Sequence, residues 1–134
     1  MNKKEMADQL HNKKYNCAQA VVVAFSEEIG MDKETLFRIS EGFGFGAGCA
    51  DGICGALSGA IMLAGLKNSD GNLENPATKA ATYKIAKEMK EKFVEKTGGL
   101  ICRDLKGLDT GKVLFSCPDC IGAAVEVVEE VLGL

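Results

Sequence analysis

Apolar residues in this sequence recur every three to four positions, and no stretch sustains the apolar–polar alternation of a half-buried strand. That pattern restricts the chain to helices joined by turns. Lys3–Leu10 reads as a short first helix. Cys17, Ala20, Val21, Ala24 and Phe25 share one face of a helix expected from Cys17 to about Glu28. Asn16 followed by Gln19 is a capping-box pair at its start, and Gly30 ends it. Asp32 caps a short helix through Ser40 that buries Leu36. Asn75–Pro76 reads as the start of a helix that runs to Lys96, turns Ala81, Ile85, Met89 and Phe93 inward, and stops at Gly98–Gly99. Pro118 opens the last helix. Its inward face is Ile121, Ala124, Val125, Val128, Val131 and Leu132, with Glu126, Glu129 and Glu130 outward.

Residues 41–52, EGFGFGAGCADG, carry too much glycine for regular structure. Asp51 can then cap a helix from Gly52 to about Leu66. Within it Gly55, Ser58, Gly59 and Ala60 lack bulk, so a neighbouring backbone can come close. The expected fold is all-α: an irregular bundle of about five to six helices with one Gly-rich loop, in a single cysteine-rich domain over residues 1–134. The small face of residues 55–60 could also pack on a second copy, which leaves a homodimer open.

The composition, 46% hydrophobic and 26% charged over 134 residues, is that of one domain able to bury a core. A net charge of −3 gives no support to a nucleic-acid or anionic-membrane surface. Lys3, Lys4, Lys13 and Lys14 read as a solvated helix face. Met1–Tyr15 is too charged for the apolar region of a signal peptide. The longest apolar run, Ile53–Leu66, is shorter than the roughly 20 residues of a membrane span. A cytoplasmic location is therefore expected. The glycine stretch 42–59 contains neither GxGxxG nor GxxxxGKS/T and follows no strand, which argues against nucleotide binding.

Function then rests on six cysteines, Cys17, Cys49, Cys54, Cys102, Cys117 and Cys120. In a reducing compartment such thiols stay free, bind metal or cycle chemically. Cys17 falls in the first turn of its helix, and Cys54 three residues after the cap Asp51. Cys102 opens a short turn, Cys117 takes the cap position before Pro118, and Cys120 lies in that same first turn. Helix starts present unpaired amides and about half a positive charge. That environment favours thiolate and lets amides donate to the sulfurs of a negatively charged cluster.

Cys117-Pro118-Asp119-Cys120 is a CxxC at a helix start, a pattern shared by disulfide oxidoreductases and metal sites. No βαβ unit accompanies it, and Ile121 stands where a c-type haem motif needs His. His11 is the single histidine, which excludes His-rich zinc and haem schemes. Cys49/Cys54 and Cys117/Cys120 could together make a Cys₄ zinc site or supply ligands of an iron–sulfur cluster; spacing does not choose.

Cys54-Gly55-Ala56-Leu57-Ser58-Gly59 reads CGAxxG, with Cys17 in NCAQAV upstream and Cys102 and Cys117 downstream. This order resembles the C_GCAxxG_C_C family of redox-active proteins over nearly the whole chain. The resemblance implies that Cys17, Cys54, Cys102 and Cys117 are the signature cysteines. It also implies that they hold a prosthetic group such as an iron–sulfur cluster, in an electron-transfer or redox accessory role toward a partner protein. Cys49 and Cys120 lie outside the signature and stand as alternate ligands or resolving thiols. Two other readings stay open. One is a thiol–disulfide protein with Cys117 attacking and Cys120 or Cys54 as partner; the other is a structural zinc site in an interaction module.

Overall fold

A computed structural model describes the chain from Met1 to Leu134. Asn2 starts helix α1 (Lys3–Asn12) by accepting the Glu5 amide at 2.8 Å, while the Glu5 carboxylate accepts the Asn2 amide in return. Asn16 and Gln19 repeat that exchange, at 2.9 Å in each direction, to start α2 (Cys17–Ala24). The helix expected to run to Glu28 breaks at Phe25, and a short α3 (Ser26–Ile29) follows. Neither Gly nor Pro marks the break. A tertiary contact holds it: Lys3 Nζ donates to the Ala24 carbonyl at 3.0 Å and lies over the buried Phe25 ring. Gly30, in the left-handed region at φ 77°, ends α3. Asp32 then caps α4 (Lys33–Ser40) by accepting the Thr35 amide, and Leu36 is fully buried.

The glycine-rich segment is more ordered than its composition implies. A 3₁₀ turn over Glu41–Phe43 leads into one turn of left-handed helix at Gly44–Gly48, where Phe45, Gly46 and Ala47 have φ of 55°, 60° and 63°. A non-glycine residue in that region costs roughly 1–2 kcal/mol. The surrounding structure therefore has to impose it.

Helix α5 (Gly55–Asn68) begins at Gly55 with Cys54 as its N-cap, not at Gly52 behind Asp51. Residues 52–54 are drawn instead into a single antiparallel bridge between Ile53 and Ile101. There the Cys54 amide donates to the Leu100 carbonyl at 2.9 Å and the Cys102 amide to the Gly52 carbonyl at 3.0 Å. Asp51 pairs with Arg103 at 3.4 Å, which removes it from capping. Helix α6 (Lys79–Thr97) starts behind Thr78 rather than at Pro76. Only its C-terminal half reaches the core, so Met89 and Phe93 are buried, Ile85 is half-buried and Ala81 is exposed. A short α7 (Cys102–Lys106) precedes α8 (Cys117–Leu132). Ser116 caps α8 by accepting the Asp119 amide, so Cys117 is its first residue rather than its cap.

The class is all-α, with eight helices where five to six were expected; the excess is α3, split from α2, and the single turn α7. Helix α5 is central and packs on α2, α6 and α8, while α1 lies against α2 and α8. The α2–α5 approach is close because Gly59 has no side chain: a Cβ there would sit 2.9 Å from the Ala18 carbonyl oxygen. No helix is long and apolar enough to cross a membrane.

Candidate redox site

Four helix starts converge. Cys17 opens α2, Cys54 caps α5, Cys102 opens α7 and Cys117 opens α8. All four, together with Cys120, line one cavity, closed by Gly55, Leu105, Lys106 and Phe115. Cys54, Cys102 and Cys120 are buried, Cys17 and Cys117 half-buried, and none is in a disulfide. Cys49 stands apart: it is exposed, does not line the cavity, and its thiol approaches only the Asp51 carboxylate at 3.8 Å. The structure thus gathers the four signature positions and, of the two extra cysteines, brings in Cys120.

Cys54 has both the Cys17 and the Cys120 thiols as neighbours. Cys120 also points its thiol at the Phe115 carbonyl, 3.8 Å away. Backbone amides reach the sulfurs as helix starts should allow: Ala18 and Phe45 donate toward Cys17, and Ala56 toward Cys54. The Phe45 amide belongs to the left-handed turn, so the strained backbone there serves the site.

The amides do not win. The neighbouring Cys54 thiol, with burial adding to it, pushes the Cys17 thiol far above the ordinary range. Cys54 is pushed up to about 12, chiefly by the Cys120 thiol and then by burial, against the pull of Cys17. Burial also raises Cys102. The expectation of easily formed thiolates at these helix starts is therefore corrected for Cys17, Cys54 and Cys102. A cluster of thiols packed together, away from water, stays protonated until a cation replaces the protons.

The sign of the stability effect follows. An unfolded thiol ionises near its ordinary value of 9.0, whereas folded Cys54 holds its proton to about 12. Stability is then fully present below pH 9 and falls as pH rises toward 12. The urea midpoint of reduced, metal-free protein should decline over that window, and Cys54→Ala should flatten the decline. An unchanged slope in the variant would contradict the buried, protonated Cys54.

Two glycines set how close the backbone comes to sulfur. A Cβ on Gly55 would lie 2.6 Å from Cys17 Sγ and 2.8 Å from the Phe43 carbonyl oxygen. One on Gly46 would lie 2.8 Å from the Cys102 Cβ. Glycine brings the loop and α5 against the thiols.

The donor set is soft and plentiful, and its chemistry fits thiolate-binding metals. No three His, Cys, Asp or Glu side chains are arranged to hold a metal ion as they stand. The cavity between the thiols is small, about 20 Å³, room for one water. A larger group enters only if the thiols turn outward.

Lys106, Phe45 and Phe115 were not singled out from the sequence. For Lys106 a signal existed: it follows Cys102 by four residues, which places both on one face of a helical turn.

An all-helical domain that gathers cysteines from four helix starts around one cavity is a thiol-cluster protein, and its chemistry is that of sulfur. The chain belongs to the family described as "Putative redox-active protein (C_GCAxxG_C_C)", whose profile matches residues 15–131. No match was found among curated proteins or among solved structures.

Proposed function

We propose that this protein is an electron-transfer or redox accessory protein that carries an iron–sulfur cluster on Cys17, Cys54, Cys102 and Cys117. The observation that supports it is the convergence of these four cysteines, spread over a hundred positions of sequence, on one cavity. When bound, such a cluster supplies one-electron redox chemistry. The protein's own residues provide the rest. The Phe45, Ala18 and Ala56 amides donate toward ligand sulfurs, Leu105 and Phe115 restrict water, and half-buried Cys17 and Cys117 lie where the site meets solvent. No further substrate machinery accompanies the thiols, so electrons pass to a partner protein.

Protein purified without oxygen should be coloured and contain iron and acid-labile sulfide. Cys54→Ser should lose both, while Cys120→Ser should keep them. Colourless wild-type protein free of iron and sulfide would end this reading, and zinc in their place would return the site to a structural role.

A second reading draws on one contact. The Cys54 and Cys120 thiols are neighbours, so a reversible Cys54–Cys120 disulfide stands beside a Cys117–Cys120 couple as the thiol–disulfide alternative. Mass mapping of protein oxidised by a small disulfide such as oxidised glutathione distinguishes the two pairings.

A further inference from the structure

One positive charge at the cavity has no counterpart. Lys106 lines the cavity beside Cys17, Cys54, Cys102, Cys117 and Cys120, and is half-buried. Its ammonium lies 5.4 Å from the centre of the Phe45 ring, and Cys117, Cys102 and Cys17 line the same cavity. No carboxylate is within ion-pairing distance of it, whereas Arg103, on the same short helix, pairs with both Asp51 and Asp109. Partly removing an ammonium from water is unfavourable unless an opposite charge or an aromatic face compensates it. Phe45 offers one face. The only other groups present are thiols, which carry no charge while protonated.

Resting on the iron–sulfur reading above, we infer that Lys106 is the built-in counter-cation of the centre: held by the Phe45 ring at the rim, it neutralises part of the negative charge that thiolate ligation brings and raises the reduction potential. Lys106 is a positioning and tuning residue, not a ligand. The electrostatic argument is direct. Each thiolate formed adds one negative charge, and one-electron reduction adds another. A fixed cation at the rim of the same cavity stabilises the reduced form more than the oxidised one. The left-handed turn acquires a second role here, since it presents the Phe45 ring on which the ammonium rests. Phe45 stays 47% exposed at the surface, where an aromatic ring without such a task gains little.

The test compares wild type, Lys106→Met and Lys106→Arg, each reconstituted without oxygen using ferric and ferrous iron and sulfide. Dithionite supplies the electrons in a spectroscopic redox titration. Methionine keeps most of the side-chain volume, and thermal melts of the metal-free proteins check that the fold survives. Lys106→Met should shift the midpoint to lower potential and release iron to a chelator several-fold faster. Lys106→Arg should restore both toward wild type. If the loaded Met variant titrates at the wild-type midpoint and holds iron equally well, the counter-cation role is wrong while the cluster reading stands. If wild type itself takes up neither iron nor sulfide, both fall together.

Discussion

Gly55→Ala is expected to load little or no iron and to unfold about 1–3 kcal/mol more easily than wild type, the usual range for an overpacked contact. The added methyl would meet Cys17 Sγ at 2.6 Å, the Phe43 carbonyl oxygen at 2.8 Å and the Gly44 Cα at 3.1 Å. Sulfur can rotate away, but the two backbone atoms cannot. Relief therefore moves either the Cys17 sulfur from its place or α5 from the loop. Gly65→Ala is the control. It lies in the same helix with nothing within 4 Å of its added methyl, so it should stabilise by up to about 1 kcal/mol through helix propensity. Denaturant melts of the metal-free proteins and iron content after anaerobic reconstitution check both. A Gly55→Ala protein with wild-type stability and iron would show that the close approach of α5 to Cys17 does not matter.

Gly107→Ala should have an even larger effect on stability, about 3 kcal/mol or more, by combining left-handed backbone strain with a backbone clash. Gly107 ends α7 at φ 68°, and a Cβ there would fall 2.0 Å from the Lys112 carbonyl oxygen and 2.3 Å from its carbon. No side chain can yield, so the loop from 107 to 116 has to move. That loop is tied to α7 by the Leu114 and Phe115 amides, which donate to the Leu105 carbonyl, and it leads directly into Cys117. Displacing it separates Cys117 and Phe115 from Cys102 and Lys106. Gly98→Ala isolates the strain alone: φ is 85°, but the nearest atoms are Leu114 methyls at 3.7 Å or more, so a loss of about 1–2 kcal/mol is expected. Thermal or urea melts of the two variants side by side settle the comparison. Equal losses would mean that the Lys112 contact yields easily.

What could be read from the sequence was what local chemistry decides. Asn16 with Gln19, Asp32 with Thr35, and Gly30 and Gly98 act within a single turn, and each behaves as its side chain or its missing Cβ dictates. The features that escaped reading depend on residues far away. Asp51 would cap a helix in isolation but is taken by Arg103, while residues 52–54 are taken by Leu100 to Cys102. The break at Phe25 needs Lys3, and the left-handed turn places Phe45 and Ala47 where neither would go alone. For the site the balance is similar. The four signature cysteines were legible from CGAxxG and their order. The inclusion of Cys120 and the exclusion of Cys49 were not, because both depend on how α8 and the left-handed turn are oriented. Thiol acidity was misjudged for the same reason: the helix-start amides are there, yet burial among other thiols outweighs them.

The bridge between Ile53 and Ile101 ties together two segments that are synthesised at different times. It joins segments 48 positions apart, and the backbone atoms of Cys54 and Cys102 are themselves part of it. Closing so long a loop is entropically expensive and comes late, after the local helices exist. A nascent chain emerging from its N-terminus presents Cys17 and Cys54 long before Cys102 and Cys117 have been synthesised. Any centre held by all four would therefore have to be inserted after Cys117 has been made.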